Sequence, residues 1–151
     1  MIAMRTLYTT GYHGKPLSTF ITQLRDVGAD AVIDIRLRNT SHLAGYTKKD
    51  TLDFLLTEGF SIAYEHHPEL APSDEAFEAY KKRKELTWTE FQTQFRALLK
   101  ESQAELIGQE ILERYRAPCL LCAEPRDQHC HRQLVAAYWA THIPGLEIVH
   151  L

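Results

Sequence analysis

The run Cys122-Ala123-Glu124-Pro125-Arg126-Asp127-Gln128-His129-Cys130-His131-Arg132 gathers thiols, carboxylates, imidazoles and guanidinium groups into one short stretch. Such a set supports three kinds of chemistry: a thiolate attacks an electrophile, a carboxylate or imidazole moves a proton, and thiols with an imidazole ligate a soft metal ion. Cys130 falls at the start of a predicted helix, where the positive end of the macrodipole favours an anion. Arg126, Arg132 or a protonated His131 would lower a thiol pKa further. Cys122 or Cys130 is then the reactive thiol, with Glu124 and His131 as acid/base or orienting groups. The plainer reading of the same residues makes Cys130 a small buried neighbour of a helix cap, Arg132 a solvated first-turn side chain and Glu124 an exposed loop carboxylate.

Cys119-x-x-Cys122 ahead of Cys130-His131 also offers metal ligands in a recognisable order. Along one strand, however, an offset of three turns two side chains to opposite faces, so both reach one ion only if the strand ends or bulges between them. Cys119 is therefore read as core, no residue is assigned to a metal, and the sequence names no cofactor. Asp34 and Arg36 flank Ile35 and so point to one side. With Tyr12, Ser41 and Arg132 they are read as the groups that hold an anionic ligand. Arg38, Lys48 and Lys49 would extend this rim. The basic run Lys81-Lys82-Arg83-Lys84 sits among Glu75, Glu78 and Glu85 and reads as a solvated helix face, and His66-His67 before Pro68 reads as a turn surface. No phosphate-binding glycine loop, nucleophile elbow or zinc-protease helix is present in the sequence.

These residues need elements to position them. Arg5 to Thr9 predicts a strand that runs into the loop Thr10-Gly11-Tyr12-His13-Gly14. Pro16 at a first helical position, then Leu17, Phe20, Ile21, Leu24 and Val27, gives an amphipathic helix closed by Gly28. Ala31 to Ile35 is a nearly continuous apolar run, as a strand covered on both faces requires. A helix over Lys48 to Glu58, a strand over Phe60 to Tyr64, and helical stretches over Glu75 to Lys84 and Thr87 to about Arg114 follow, the last with Gly108 as its break. Pro118 to Cys122 predicts a buried strand, His131 to His142 a helix and Leu146 to Leu151 a final strand. The alternation predicts a three-layer α/β/α domain with a mostly parallel sheet of about five strands. In such a fold ligands sit at the strands' C-terminal ends.

The sequence is 151 residues long, 44% hydrophobic and 25% charged, which is the composition of one globular domain rather than a disordered chain. A formal net charge of −3 provides no global positive field, so nucleic acid could be met only through a local patch. Without a long apolar run or a signal-peptide pattern, no membrane partner and a cytoplasmic location are expected. The oligomeric state is not written in the sequence.

Thr10-Gly11-Tyr12, Asp34-Ile35-Arg36 and Leu121-Cys122-Ala123-Glu124 ahead of Cys130-His131-Arg132 together resemble the domain-of-unknown-function family DUF488 over nearly the whole chain. The resemblance carries over Gly11, Tyr12, Asp34, Arg36, Ser41, Tyr64, Cys122, Glu124, Cys130, His131 and Arg132 as motif positions, and it implies a common site without naming a reaction. Asn39 stands where that pattern often has proline, and Leu70-Ala71-Pro72 replaces a Leu-Gly-Gly-like segment. The expectation is an enzyme acting on a small anionic, nucleotide-like or nucleobase-containing substrate through a Cys/Glu/His/Arg site. A non-catalytic nucleotide or nucleic-acid binding module, or a metal-stabilised interaction domain, is the alternative.

Overall fold

In a computed structural model the described residues are 4–39, 45–124 and 129–151. Five strands form one sheet: β1 (Arg5–Gly11), β2 (Ala31–Asp34), β3 (Ala63–His66), β4 (Pro118–Cys122) and β5 (Leu146–His150). Their spatial order is β3-β2-β4-β1-β5 and every pairing is parallel. Alternation along the strands divides the core. Val32, Cys119 and Leu121 face α1 (Leu17–Asp26) and α2 (Lys49–Phe54), whereas Ile33, Leu120 and Cys122 face α4 (Trp88–Glu101), α5 (Ala104–Arg114) and α6 (His131–His142). The remaining helix, α3 (Asp74–Lys81), precedes α4. This is the three-layer α/β/α arrangement that the alternation of elements implies.

The sheet order positions the site. β1 is followed by α1 on one face and β4 by α6 on the other, yet the two strands are neighbours, with Gly11 opposite Cys122. The chain therefore leaves the sheet in opposite directions at adjacent strand ends and opens a crevice there, the usual place for a ligand in a parallel sheet.

Several elements depart from the sequence expectation; the helix expected to reach Lys84 ends at Lys81 and the first strand runs on to Gly11. The long stretch from Thr87 breaks at Ser102–Gln103, where Gln103 adopts φ 54°, and not at Gly108. Gly108 stays helical because it is a packing site: a Cβ there would come within 2.7 Å of the Trp139 ring. β3 begins three residues later than expected because the preceding helix continues through a wide turn, Leu55–Gly59, and Ser61 then takes φ 55° before the strand starts. Pro16 is the N-cap of α1, with extended ψ, so the helix begins one residue beyond it. The capping box expected of a well-made helix start occurs at Thr87 and Glu90, each side chain satisfying the other's backbone N–H.

Candidate functional site

At the crevice the chain after β1 runs beside the chain after β4. Tyr12 N donates to Cys122 O at 3.2 Å and His13 N to Ala123 O at 2.9 Å. Gly11 is required by this closeness, since a Cβ would lie 1.4 Å from Glu124 O and 3.0 Å from Arg132 Nη1. Arg132 is fully buried instead of solvated, which overturns the plainer reading of it as a first-turn surface residue. Its Nε donates to Thr9 Oγ1 at 3.1 Å, and its Nη1 donates to the Glu124 carbonyl and lies 3.4 Å from Cys122 Sγ. Cys130, the N-cap of α6, brings its Sγ to 2.8 Å from Cys122 Sγ.

The two thiols are driven apart by this geometry. Burial pushes Cys122 up, but the Cys130 S–H that it accepts and the Arg132 guanidinium outweigh burial and hold it below the ordinary thiol range. Cys130, as the donor to Cys122, is held well above that range, with burial adding to the effect. Of the two thiols it is Cys122 that is lowered, although Cys130 stands at the helix start. Cys119 faces the other layer, fully buried in the cluster of Phe20, Leu24 and Val32, and burial pushes its thiol up to about 12. The offset of three does send Cys119 and Cys122 to opposite faces. Among the described residues, no group of three His, Cys, Asp or Glu side chains could hold a metal ion.

Asp34 and Arg36 point to the same side and form a fork: Arg36 Nε donates to Oδ1 at 2.8 Å and Nη2 to Oδ2 at 2.7 Å. Tyr64 OH donates to Oδ2 at 2.5 Å, and Asn39 Nδ2 reaches both Oδ2, at 3.4 Å, and Tyr64 OH, at 3.1 Å. Asp34 is fully buried, and it orients Arg36 while Arg36 Nη2 also donates to Thr47 O at 2.7 Å. Burial alone would lower the Arg36 pKa. The bonds and charge of Asp34 reverse that and keep the guanidinium charged. The Tyr12 ring lies 5.1 Å from the Arg36 Cζ, within cation–π range. Asn39, which departs from the family pattern, is a member of this network, and so is Tyr64.

His131 Nε2 donates to Ile35 O at 2.9 Å, because a carbonyl can only accept. That fixes the neutral tautomer with Nδ1 as acceptor. Burial lowers the His131 pKa to about 4, with the Arg132 charge adding to the shift, so the ring is neutral at pH 7. His66 closes the strand end in the same way, its Nε2 donating to Arg36 O at 2.7 Å, and so does more than decorate a turn. Glu124 presents a half-exposed carboxylate 3.4 Å from Lys81 Nζ.

A cavity of about 270 Å³ opens over these groups, and Tyr12, Arg36, Cys122, Glu124 and His131 line it. Leu37 and Phe77 supply apolar wall, and the rim charges Arg38 and Lys82 are paired with Asp74 and Glu78, which also line the cavity. Asp34, Cys130 and Arg132 stand behind this wall, in contact with Arg36 and Cys122. Ser41 and Arg126 lie outside the described residues. Lys48 and Lys49 begin α2 and are not among the described lining residues. A larger hollow of about 890 Å³ lies at the opposite edge of the sheet, near Met4, Asp30 and Arg116. It holds no thiol or imidazole, and Asp30 is occupied by the Arg116 and Ala117 backbone N–H groups, each at 2.8 Å. Chemistry, not size, singles out the smaller cavity.

Sequence reasoning passed over Lys15, whose Nζ donates at 2.8 Å to both Thr10 Oγ1 and Gln23 Oε1. Burial lowers its pKa, and the nearby Arg132 charge lowers it further. Phe77 was passed over as well. Its signal was an aromatic side chain lying off the apolar stripe of a charged helix.

Fold and site together define an α/β protein with a thiol-bearing crevice at the C-terminal edge of a parallel sheet. Residues 16–139 match the model of the domain of unknown function DUF488, and the chain belongs to that family. Gly11 and Tyr12 precede the matched segment. Comparison with curated proteins and with solved structures gives no match. Among the described residues, no helix is long and apolar enough to cross a membrane.

Proposed function

We propose that this chain is an enzyme whose nucleophile is the Cys122 thiolate, acting on a small anionic substrate, nucleotide-like compounds included, seated in the 270 Å³ cavity. The observation that carries the reading is the approach of Arg132 Nη1 to 3.4 Å and Cys130 Sγ to 2.8 Å of one sulfur that borders a cavity. A buried guanidinium and a thiol donor converging on one atom stabilise its anion at neutral pH, which is what a thiol nucleophile needs. Arg36, held rigid by Asp34, offers the substrate's negative charge a fixed partner. Neutral His131 can accept a proton at Nδ1, and Glu124 at the cavity mouth can accept or return one to the leaving group. A nucleobase or other flat group would lie against Tyr12 and Phe77.

Two alkylating reagents of similar size and opposite charge character test this. Native protein is treated at neutral pH with iodoacetate or iodoacetamide, and the rates at Cys122 are compared with those of the urea-unfolded chain. The expected result is at least a tenfold gain for iodoacetate relative to iodoacetamide on folding, with saturable protection by inorganic phosphate or a nucleoside monophosphate. Equal relative rates in folded and unfolded protein, with no anion protecting, would sink the anionic-substrate reading.

A further inference from the structure

Cys130 has a place in this site that nucleophilic attack by Cys122 alone does not use. A hydrogen-bond donor to a thiolate could be any hydroxyl or amide. Here it is a second thiol, with the two sulfurs 2.8 Å apart, already closer than unbonded sulfurs usually approach and less than 1 Å from the roughly 2.05 Å of a disulfide bond. Both sulfurs belong to the same buried cluster, and Cys130 caps a twelve-residue helix, so the pair is held together by packing rather than by chance encounter. Cys119 is excluded from any exchange, since it faces the opposite layer. The Arg132 Nη1 also lies 3.9 Å from Cys130 Sγ, so one guanidinium can follow negative charge from one sulfur to the other.

We infer that Cys130 is a resolving thiol and that the Cys122–Cys130 pair is a two-electron redox centre whose oxidising substrate is a small hydroperoxide, reduced at the cavity and followed by an intramolecular disulfide. The inference rests on the proposal that Cys122 is the nucleophile. In the first step the Cys122 thiolate attacks the distal peroxide oxygen; the O–O bond breaks, an S–O bond forms, and the alkoxide or hydroxide takes a proton to leave as alcohol or water. Cys122 is then a sulfenic acid, oxidised by two electrons. In the second step the Cys130 sulfur displaces that oxygen, the Cys130 proton and the sulfenic hydroxyl leave together as water, and the S–S bond forms. An external dithiol returns both cysteines to the thiol state and is itself oxidised to its disulfide. Arg132 stabilises the attacking thiolate first and the departing one on reduction. A peroxide carried on a small organic anion would also meet Arg36, and Leu37 and Phe77 would flank its apolar part.

The test treats the whole native chain with one equivalent of hydrogen peroxide and maps the cysteines by peptide mass spectrometry. The expected product lacks two hydrogens, has Cys122 joined to Cys130, retains Cys119 as a free thiol and reverts with dithiothreitol. Cys130→Ser, which keeps a hydrogen-bond donor, should stop at sulfenic acid on Cys122, trapped by dimedone, and lose disulfide formation entirely. A Cys122 that is over-oxidised while Cys130 stays a free thiol overturns the inference, as does a disulfide that includes Cys119. If Cys122 takes iodoacetate rapidly yet resists peroxide, the redox inference fails while the nucleophile proposal stands. If it takes neither, both fail.

Discussion

Cys119 and Cys122 sit three residues apart on β4, both fully buried, and their surroundings differ in almost every other respect. Cys119 faces Phe20, Leu24 and Val32 in a layer sealed by α1 and α2, where the charges of Arg132 and Lys15 only partly offset the loss of water and the thiol is pushed up to about 12. Cys122 ends the strand at the crevice, where Arg132 and Cys130 converge on its sulfur and hold it below the ordinary range. Burial therefore does not decide whether a cysteine is inert. What decides is whether donors and a cation reach the sulfur as water leaves, and at a parallel-sheet edge they can, because loops and a helix start converge there.

The contrast can be broken most forcefully at Asp34, which holds Arg36. Asp34→Ala leaves Arg36 buried without its carboxylate and should cost about 3–5 kcal/mol, read as a lower urea midpoint, with loss of any preference for iodoacetate. A change below about 1 kcal/mol would mean that Arg36 relaxes into solvent and that the fork is incidental. Gly11→Ala strikes the thiol corner itself. Its Cβ would meet Glu124 O at 1.4 Å, so the two loops must part. A loss of roughly 3 kcal/mol in chemical denaturation is expected, together with slower Cys122 labelling as Arg132 is displaced.

His131 gives the pH test. Its folded pKa, about 4, lies below the ordinary 6.5, so between these values the unfolded chain binds the extra proton. The contribution is fully present above about pH 6.5 and is lost progressively as pH falls towards 4, up to roughly 2–3 kcal/mol. Urea midpoints measured across that window should fall with pH, and His131→Gln should flatten the slope while keeping a donor for Ile35 O. The smallest effect belongs to Cys119. Cys119→Ala should cost only about 1 kcal/mol of stability, measured by denaturation, and leave Cys122 reactivity unchanged. A large drop in labelling would mean that the two faces of β4 are coupled through Lys15, which lies close enough to influence both sulfurs.

Most of the fold was legible because its central strands are apolar runs punctuated by Pro and Gly: Ala31 to Asp34 and Pro118 to Cys122 are buried at every position. β3 is harder to read because it is an edge strand with polar residues at its end. Glu65 and His66 look like the beginning of a turn until the sheet supplies their partners. The break between α4 and α5 was hidden because Gln103 carries no breaker signal, while Gly108, which does, is used to let Trp139 approach. At the site, spacing alone put Asp34 beside Arg36 and turned Cys119 away from Cys122. The partition of charge between Cys122 and Cys130 could not be read from the sequence. It depends first on Cys130 Sγ meeting Cys122 Sγ at 2.8 Å, and then on Arg132, anchored to Thr9 Oγ1 123 residues away in the chain, approaching that sulfur.

We propose that Cys122 is ionised at neutral pH while Cys119 and Cys130 keep their protons. The direct measurement is site-resolved alkylation of native protein by limiting iodoacetamide from pH 5 to 10, each cysteine followed by peptide mass spectrometry. The expected result is labelling of Cys122 with a midpoint clearly below that of the unfolded chain, while Cys119 and Cys130 stay unmodified until the protein unfolds. Cys122 titrating with or above the unfolded chain, or Cys130 reacting first, would contradict the assignment of the nucleophile.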